Sequence, residues 1–249
     1  NSFGGLLPGI ESWYDMGNKS KASRIKGLER VKQVAEHSNM IMRYIPYLQV
    51  NFVFGLDSDF GSDPFELTKK FLDLSPGSFP AYSLLSAFGE AAPLNLQYQE
   101  EDRVLPFPFH FLNNHLAMNV KPKNYDWVTY YNHLIDITEY SFSWKAIFKR
   151  AMANSRGITK GLNFVRAISH EGSGRIKFFK TIRNNLKNDP SFRDYFEGKT
   201  TQLPQFYLDI IKEDLGHMWK WLPEGALYHD HKAYLKKHES SQKLRRVSS

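Results

Sequence analysis

The chain has 249 residues, 41% hydrophobic content and a formal net charge of +7. This is enough for one large domain with a real core, or for a domain with a long appendage. It contains no cysteine, which excludes disulfides, thiolate catalysis and any cysteine-held metal or iron–sulfur cluster within these residues. No apolar run reaches the roughly 18 residues of a membrane helix and no signal peptide is visible, so we expect a cytoplasmic protein.

The positive charge is concentrated at the end of the sequence. Residues 232–249 carry six Lys and Arg against Glu239, a difference of five, so the rest of the chain accounts for only two of the seven charges. Basic ends of this kind are usually solvated and frayed, and we therefore expect a disordered tail over 232–249 with no primary nucleic-acid function.

Strand and helix patterns alternate in the first third of the chain. Residues 6–12 resemble the end of a strand, and 21–38 carry apolar residues at helical spacing. A buried parallel strand is predicted at 48–55. Asp63 at the N-cap followed by Pro64 predicts a helix that ends near Leu74. With a third strand at 81–88, the order predicts an α/β fold with parallel pairing.

The sequence changes character after the third strand. Residues 93–122 are rich in proline and aromatic residues and are predicted to be irregular. Helical spacing returns over 124–149, and 173–187, 190–197 and 204–221 also favour helices. We therefore predict domains at 1–122 and 123–231, followed by the tail at 232–249.

Two strand ends deliver polar residues at the positions where α/β barrels bind ligands. The first is Gly9-Ile10-Glu11-Ser12. The second is the segment from Val50 to Asp59, which reads VNFVFGLDSD. The spacing leaves room for one crossover helix, so the two segments are predicted to be consecutive strands whose carboxyl ends share one edge.

These segments resemble the second half of a radical S-adenosylmethionine (radical SAM) enzyme. The resemblance is closest to the branch whose members often carry a cobalamin-binding domain ahead of the barrel. The matching motifs are a "GxES" strand end, a strand similar to "xFIFGxDxD", a helix start at Pro64-Phe65-Glu66 and an "xxRxL" segment at 102–105. Residues 119–125 and 140–144 are similar to the region that follows the barrel in these proteins.

The resemblance implies the C-terminal strands of a partial (β/α)6 TIM-like barrel, with strands four and five ending at Ser12 and Asp57, followed by a mainly α-helical extension. In this family a three-cysteine motif holds a [4Fe-4S] cluster, and reductive cleavage of S-adenosylmethionine yields a 5′-deoxyadenosyl radical. The cysteine motif is absent here, and the chain opens at Asn1 almost directly on a strand. We therefore expect a fragment that is inactive alone and whose cluster ligands lie upstream.

The resemblance also implies the cofactor-binding residues. Glu11 or Ser12 would contact the ribose or the amino-acid part of S-adenosylmethionine, and the backbone from Val53 to Gly55 would pack on adenine. Asn51 stands where many relatives have glycine, and Ser58 stands where they have glutamate, with Asp57 and Asp59 supplying carboxylates nearby. The implied partners are a small-molecule substrate and an electron donor such as flavodoxin or ferredoxin; cobalamin dependence, reaction type and substrate stay open.

Structural interpretations of the same residues remain open. Glu11 could serve as a helix-entry acid, and the two aspartates could form Asx turns. His110 and His115 are more simply structural, and the segment Tyr228-His229-Asp230-His231 offers too few ligands for a metal site.

Two other functions also remain open for the whole chain. One is a non-catalytic nucleic-acid or partner-binding module on a degenerate barrel, and the other is a fragment of a hydrolase or lyase with a β/α barrel.

Overall fold

A computed structural model describes residues 4–14, 25–89, 92–112, 116–230, 232–233 and 235–236. Within these ranges the strands are β1 (Gly9–Glu11), β2 (Gln49–Phe54) and β3 (Phe79–Leu84). The helices are α1 (Gly27–Met42), α2 (Asp63–Leu74), α3 (Pro93–Glu100), α4 (Trp127–Ser141), α5 (Trp144–Ala153), α6 (Gly157–Ile168), α7 (Arg175–Asn188), α8 (Pro190–Phe196) and α9 (Gln205–Leu215).

The described chain is an α/β protein that divides into two compact units. The first unit comprises Asn1–Ser83 and Lys123–Lys187, and the second comprises Leu84–Pro122 and Asn188–Ser249. One boundary, between Pro122 and Lys123, coincides with the predicted change of character. The domain ranges 1–122, 123–231 and 232–249 stay a prediction, and residues 237–249 of the predicted tail lie outside the described residues.

The first unit is built on a parallel three-stranded sheet in the order β1-β2-β3. β1 and β2 pair in parallel, with Gly9 opposite Asn51 and Glu11 opposite Phe52, and the register shifts between these two pairs. Along β2 the side chains alternate between buried and half-buried, as expected when only one face of a sheet is fully covered. The buried face is aromatic: the rings of Phe52 and Phe54 contact Tyr82 with centroids 6.0 and 5.7 Å away.

The outer edge of β3 is protected against pairing with a further strand. The amide of Phe79 donates to the carbonyl of Leu48, just before β2, at 2.8 Å. Because main-chain groups along a strand point alternately to its two sides, those of Pro80 and Tyr82 point away from β2. Proline has no N–H to offer there, and Nη1 of Arg175 donates to the carbonyl of Tyr82 at 2.8 Å. Both features are ways in which proteins blunt a sheet edge.

The second unit packs around aromatic rings instead of a sheet. Phe107 lies at the centre, and Tyr195 and Tyr207 contact it edge-on with ring centroids 5.0 Å away. Asn119 holds two chain segments together because its side chain accepts from the amide of Ala87 and donates to the carbonyl of Ala87, both at 2.8 Å. A single antiparallel bridge joins Val104 to Val120.

Several predicted elements are confirmed, and others are corrected. The helix at 63–74 and the strand at 48–55 lie within one residue of their predicted ends. The segment 93–122 is not irregular throughout, since α3 occupies its first eight residues with a proline in the first turn, where the missing N–H costs nothing.

The bounds of two helices and one strand also differ from prediction. The helix expected at 124–149 is two helices: the first ends at Ser141 with Phe142 as its C-cap, and Ser143 caps the second by accepting from the amide of Ala146. The N-cap of α2 is Ser62 and not Asp63. The third strand covers 79–84 and not 81–88.

Candidate functional site

The carboxyl ends of β1 and β2 meet at one edge of the sheet, as the sequence predicts for consecutive parallel strands. Ser12, just after β1, is buried, and its Oγ lies 3.4 Å from Oγ of Ser58 in the loop after β2. The amide of Tyr14 donates to the same Ser12 oxygen at 3.2 Å. The two predicted strand ends therefore form one cluster of polar groups.

Glu11 is the last residue of β1 and has an unusual backbone. Its φ angle is 62°, in the left-handed region that residues other than glycine rarely adopt. The side chain of Glu11 is exposed and folds back over Gly9. A methyl group on Gly9 would lie only 3.5 Å from Oε1 of Glu11. Strained residues of this kind occur preferentially at functional sites. No sequence signal indicated this strain.

Asn51 and Val53 lie on the half-buried face of β2. The side-chain amide of Asn51 donates to the carbonyl of Pro8 at 3.4 Å and accepts from Nε2 of Gln49 at 2.8 Å. Asn51 therefore braces β1 against β2, a role that glycine at this position could not provide. Val53 is two residues further on and remains partly accessible on the same face.

The loop after β2 closes on the carboxylate of Asp59. Its Oδ2 accepts from the amides of Gly55 at 3.0 Å and Leu56 at 3.2 Å, and Gly55 has a φ of 90° that glycine adopts without strain. Asp59 is almost completely buried, and this burial raises its pKa from 3.8 to about 6, although the two amide hydrogen bonds lower it. Asp59 therefore caps the loop, but through amides that precede it in the sequence and not through an Asx turn, in which the side chain bonds the backbone two residues later.

Asp57 occupies a different position in the same loop. Its side chain is half-buried, and one of its oxygens lies 3.9 Å from Nζ of Lys123. The carboxylate therefore lies beside Ser58 with part of its surface open to a ligand. Its role in cofactor binding stays a prediction.

The segment that leads into α4 fastens this loop, which sequence analysis did not foresee. Nδ2 of Asn124 donates to the carbonyls of Asp57 and Asp59, both at 3.0 Å. The hydroxyl of Tyr130 donates to the carbonyl of Phe54 at 3.1 Å. The similarity of residues 119–125 to the region after the barrel was the one available signal, but it assigned no contact.

His110 and His229 each have a partner within the second unit. Nε2 of His110 is 2.7 Å from Oδ2 of Asp214, and His229 is buried with Nδ1 3.2 Å from the carbonyl of Phe107. Burial lowers the pKa of His229, which favours the neutral ring. His115 and His231 lie outside the described residues. No group of three potential metal ligands occurs among the residues described.

The two strand ends offer carboxylates that can accept hydrogen bonds. Glu11 presents an exposed carboxylate at the end of one strand, and Asp57 presents a partly open one at the end of the next. Carboxylates at such positions can accept hydrogen bonds from paired hydroxyls or from an ammonium group. Val53 is half-buried and Gly55 is buried beside them.

No protein-family model matches the chain, and the search of the curated proteins found no match. Among the described residues, no helix is long and apolar enough to cross a membrane.

Proposed function

We propose that this chain is part of a radical SAM enzyme, in which it contributes the adenosyl side of the S-adenosylmethionine site and part of the substrate cavity. The observation that carries the proposal is the meeting of Glu11-Ser12 with the loop from Gly55 to Asp59 at one edge of a parallel sheet. In α/β barrels this is the edge where ligands bind. The proposed architecture is the C-terminal part of a (β/α)6 barrel with a helical extension.

Each residue has a distinct part in this proposal. Glu11 accepts hydrogen bonds from the ribose hydroxyls or from the amino group of S-adenosylmethionine, because its carboxylate is exposed at the strand end. Val53 and Gly55 pack against adenine. Ser12 and Asn51 act by position: Ser12 links the two strand ends and Asn51 braces the strands, so both keep the ligand-binding groups in place.

The closed end of the sheet is consistent with this architecture. Pro80 and Arg175 block the outer edge of β3, which suits the last strand of a partial barrel. The edge of β1 carries no comparable protection in the described residues: Leu7 is 60% exposed there. A partial barrel would continue from this edge into strands contributed by another part of the protein.

The chemistry of the bound group would come from elsewhere in the protein. S-adenosylmethionine, if bound and reduced by a [4Fe-4S] cluster, would supply hydrogen-atom abstraction from a substrate. The cluster does not fit the residues of this chain, which has no cysteine, so its ligands would lie outside this sequence. A flavodoxin- or ferredoxin-type donor would deliver the electron, and cobalamin would require an additional domain.

The test uses the full-length protein. Its sequence upstream of Asn1 should contain a Cys-x3-Cys-x2-Cys motif, and the protein reconstituted anaerobically should form 5′-deoxyadenosine when S-adenosylmethionine and dithionite are added. Absence of the motif, or failure to form this product, would contradict the proposal.

A variant series tests the site itself. Glu11→Gln should weaken binding of S-adenosylmethionine about tenfold, because a charge-assisted hydrogen bond becomes a neutral one. Glu36→Gln on the exposed surface of α1 is the matched control and should bind normally. If the unchanged protein and both variants bind S-adenosylmethionine equally well, Glu11 is not part of the site.

A nucleic-acid-binding or partner-binding function on a degenerate barrel remains the alternative prediction. It depends on the basic tail at 232–249, most of which lies outside the described residues. Retention on nucleic acid that weakens steeply with salt and disappears on deletion of 232–249 would favour it.

A further inference from the structure

Helix α6 exposes its apolar face and buries its polar one. Thr159, Asn163 and Ala167, four residues apart along the helix, are buried. The opposite face carries five large apolar side chains that are between 43% and 83% exposed: Ile158, Leu162, Phe164, Val165 and Ile168. A helix in water normally shows the reverse arrangement, so this face is suited to an apolar partner.

Helix α5 adds a second apolar stripe. Trp144, Phe148 and Met152 follow one another at four-residue spacing and are 73%, 68% and 65% exposed, while Ile147 and Arg150 on the other side are buried. Helices α5 and α6 pack against each other within the first unit. We call the exposed apolar residues of these two helices the 144–168 surface.

The charge of this segment has a single sign. Residues 144–168 contain six Lys and Arg and no Asp or Glu. Lys145 and Lys149 flank the α5 stripe and are exposed, although Lys149 lies 3.1 Å from Asp73. Arg156 is exposed between the helices, and Lys160 is half-buried on α6. Arg150 is buried and Arg166 pairs with Glu171, so Lys145, Arg156 and Lys160 supply most of the positive charge at this surface. A partner that fits the surface accepts apolar side chains and carries negative charge.

We propose that the 144–168 surface docks the protein on an anionic lipid bilayer. The acyl chains of the leaflet that faces the protein would receive the apolar stripes, and the headgroup phosphates would lie beside the lysines. Tryptophan at an edge of the surface suits this boundary, since its ring is amphipathic. A bilayer supplies both an apolar interior and negative charge, and it does not need a surface shaped to fit the helices. The protein would lie on the membrane without crossing it.

Flotation of the full chain with vesicles tests the proposal. Vesicles of phosphatidylcholine with about 30% phosphatidylserine should bind the chain at low salt at least tenfold better than pure phosphatidylcholine vesicles, because surface charge attracts basic segments. Trp144→Ser combined with Phe148→Ser should reduce partitioning about tenfold or more, because two inserted rings are lost. Lys145→Glu combined with Lys160→Glu should reduce it at least fivefold per site.

Control variants lie on α1, where Leu28 and Lys32 are exposed. Leu28→Ser and Lys32→Glu should bind vesicles like the unchanged chain, and circular dichroism should show that every variant is folded. The proposal fails if anionic vesicles do not bind the chain, or if loss of both aromatic residues leaves binding unchanged. It also fails if light scattering shows a dimer that the aromatic variant dissociates, because the surface would then join two copies of the chain.

Discussion

Replacing Asp59 by asparagine should stabilise the protein at neutral pH. Burial raises the pKa of this carboxyl from 3.8 to about 6, so the folded state binds its proton more tightly than the unfolded state does. The contribution of Asp59 to stability is therefore greatest below about pH 4, falls as the pH rises through about 6, where the buried group is half ionised, and levels off near pH 8. At 1.36 kcal/mol per pKa unit, the ionised side chain costs about 3 kcal/mol at pH 8.

Asparagine removes the charge and retains the acceptor. Its Oδ1 can still accept from the amides of Gly55 and Leu56, which the carboxylate now satisfies at 3.0 and 3.2 Å. Urea denaturation of both proteins between pH 4 and 8 should show Asp59→Asn to be more stable at pH 8 by up to about 3 kcal/mol. The difference should shrink towards zero near pH 4.

Asp59→Ala separates charge from hydrogen bonding. It also removes the negative charge, but it leaves the two loop amides without their acceptor, which costs about 1–3 kcal/mol for each buried group. We therefore expect it to be less stable than Asp59→Asn at every pH. A pH-independent difference between the unchanged protein and Asp59→Asn would refute the argument that burial controls this carboxyl.

Three further substitutions test the geometry around the strand ends and the second unit. Glu11→Gly should keep the free energy of unfolding within about 1 kcal/mol of the original, because relief of the positive φ offsets the flexibility of glycine, yet it should weaken binding of S-adenosylmethionine. Gly55→Ala should lower the free energy of unfolding by roughly 1–2 kcal/mol, because φ at this position is 90°. Urea denaturation measures the loss. Gly61, with a φ of 55°, is a second site at which alanine should cost a similar amount. Asn119→Ala should lower the free energy of unfolding by about 3 kcal/mol, because it leaves the buried amide and carbonyl of Ala87 without hydrogen-bond partners. Thermal or urea denaturation measures the loss. A loss below about 0.5 kcal/mol would mean that the loop readjusts.

The pairing of two strand ends was predictable because it follows from local patterns. Short apolar runs that end in Gly, Ser and Asp identify β1 and β2, and the length between them leaves room for the crossover helix that parallel pairing needs. The helix at 63–74 was predictable for the same reason: its proline and acidic first turn are local signals.

Other features depend on residues that are distant in sequence. Nothing near Asn124 in the sequence shows that its amide bonds to two carbonyls 65 and 67 residues away. The division of labour between the neighbouring aspartates also depends on burial: Asp59 is enclosed and holds the loop, while Asp57 keeps part of its surface open. Sequence spacing treats the two as equivalent.

The sequence by itself determined the α/β class, the parallel pairing and the polar strand ends, because hydrophobic period, glycine and proline act over a few residues. Only the tertiary structure decided the left-handed backbone of Glu11, the bracing by Asn51 and the outward apolar face of α6. These features depend on which surfaces meet and exclude water. An amphipathic pattern shows that a helix has two faces, but only packing decides which of them is buried.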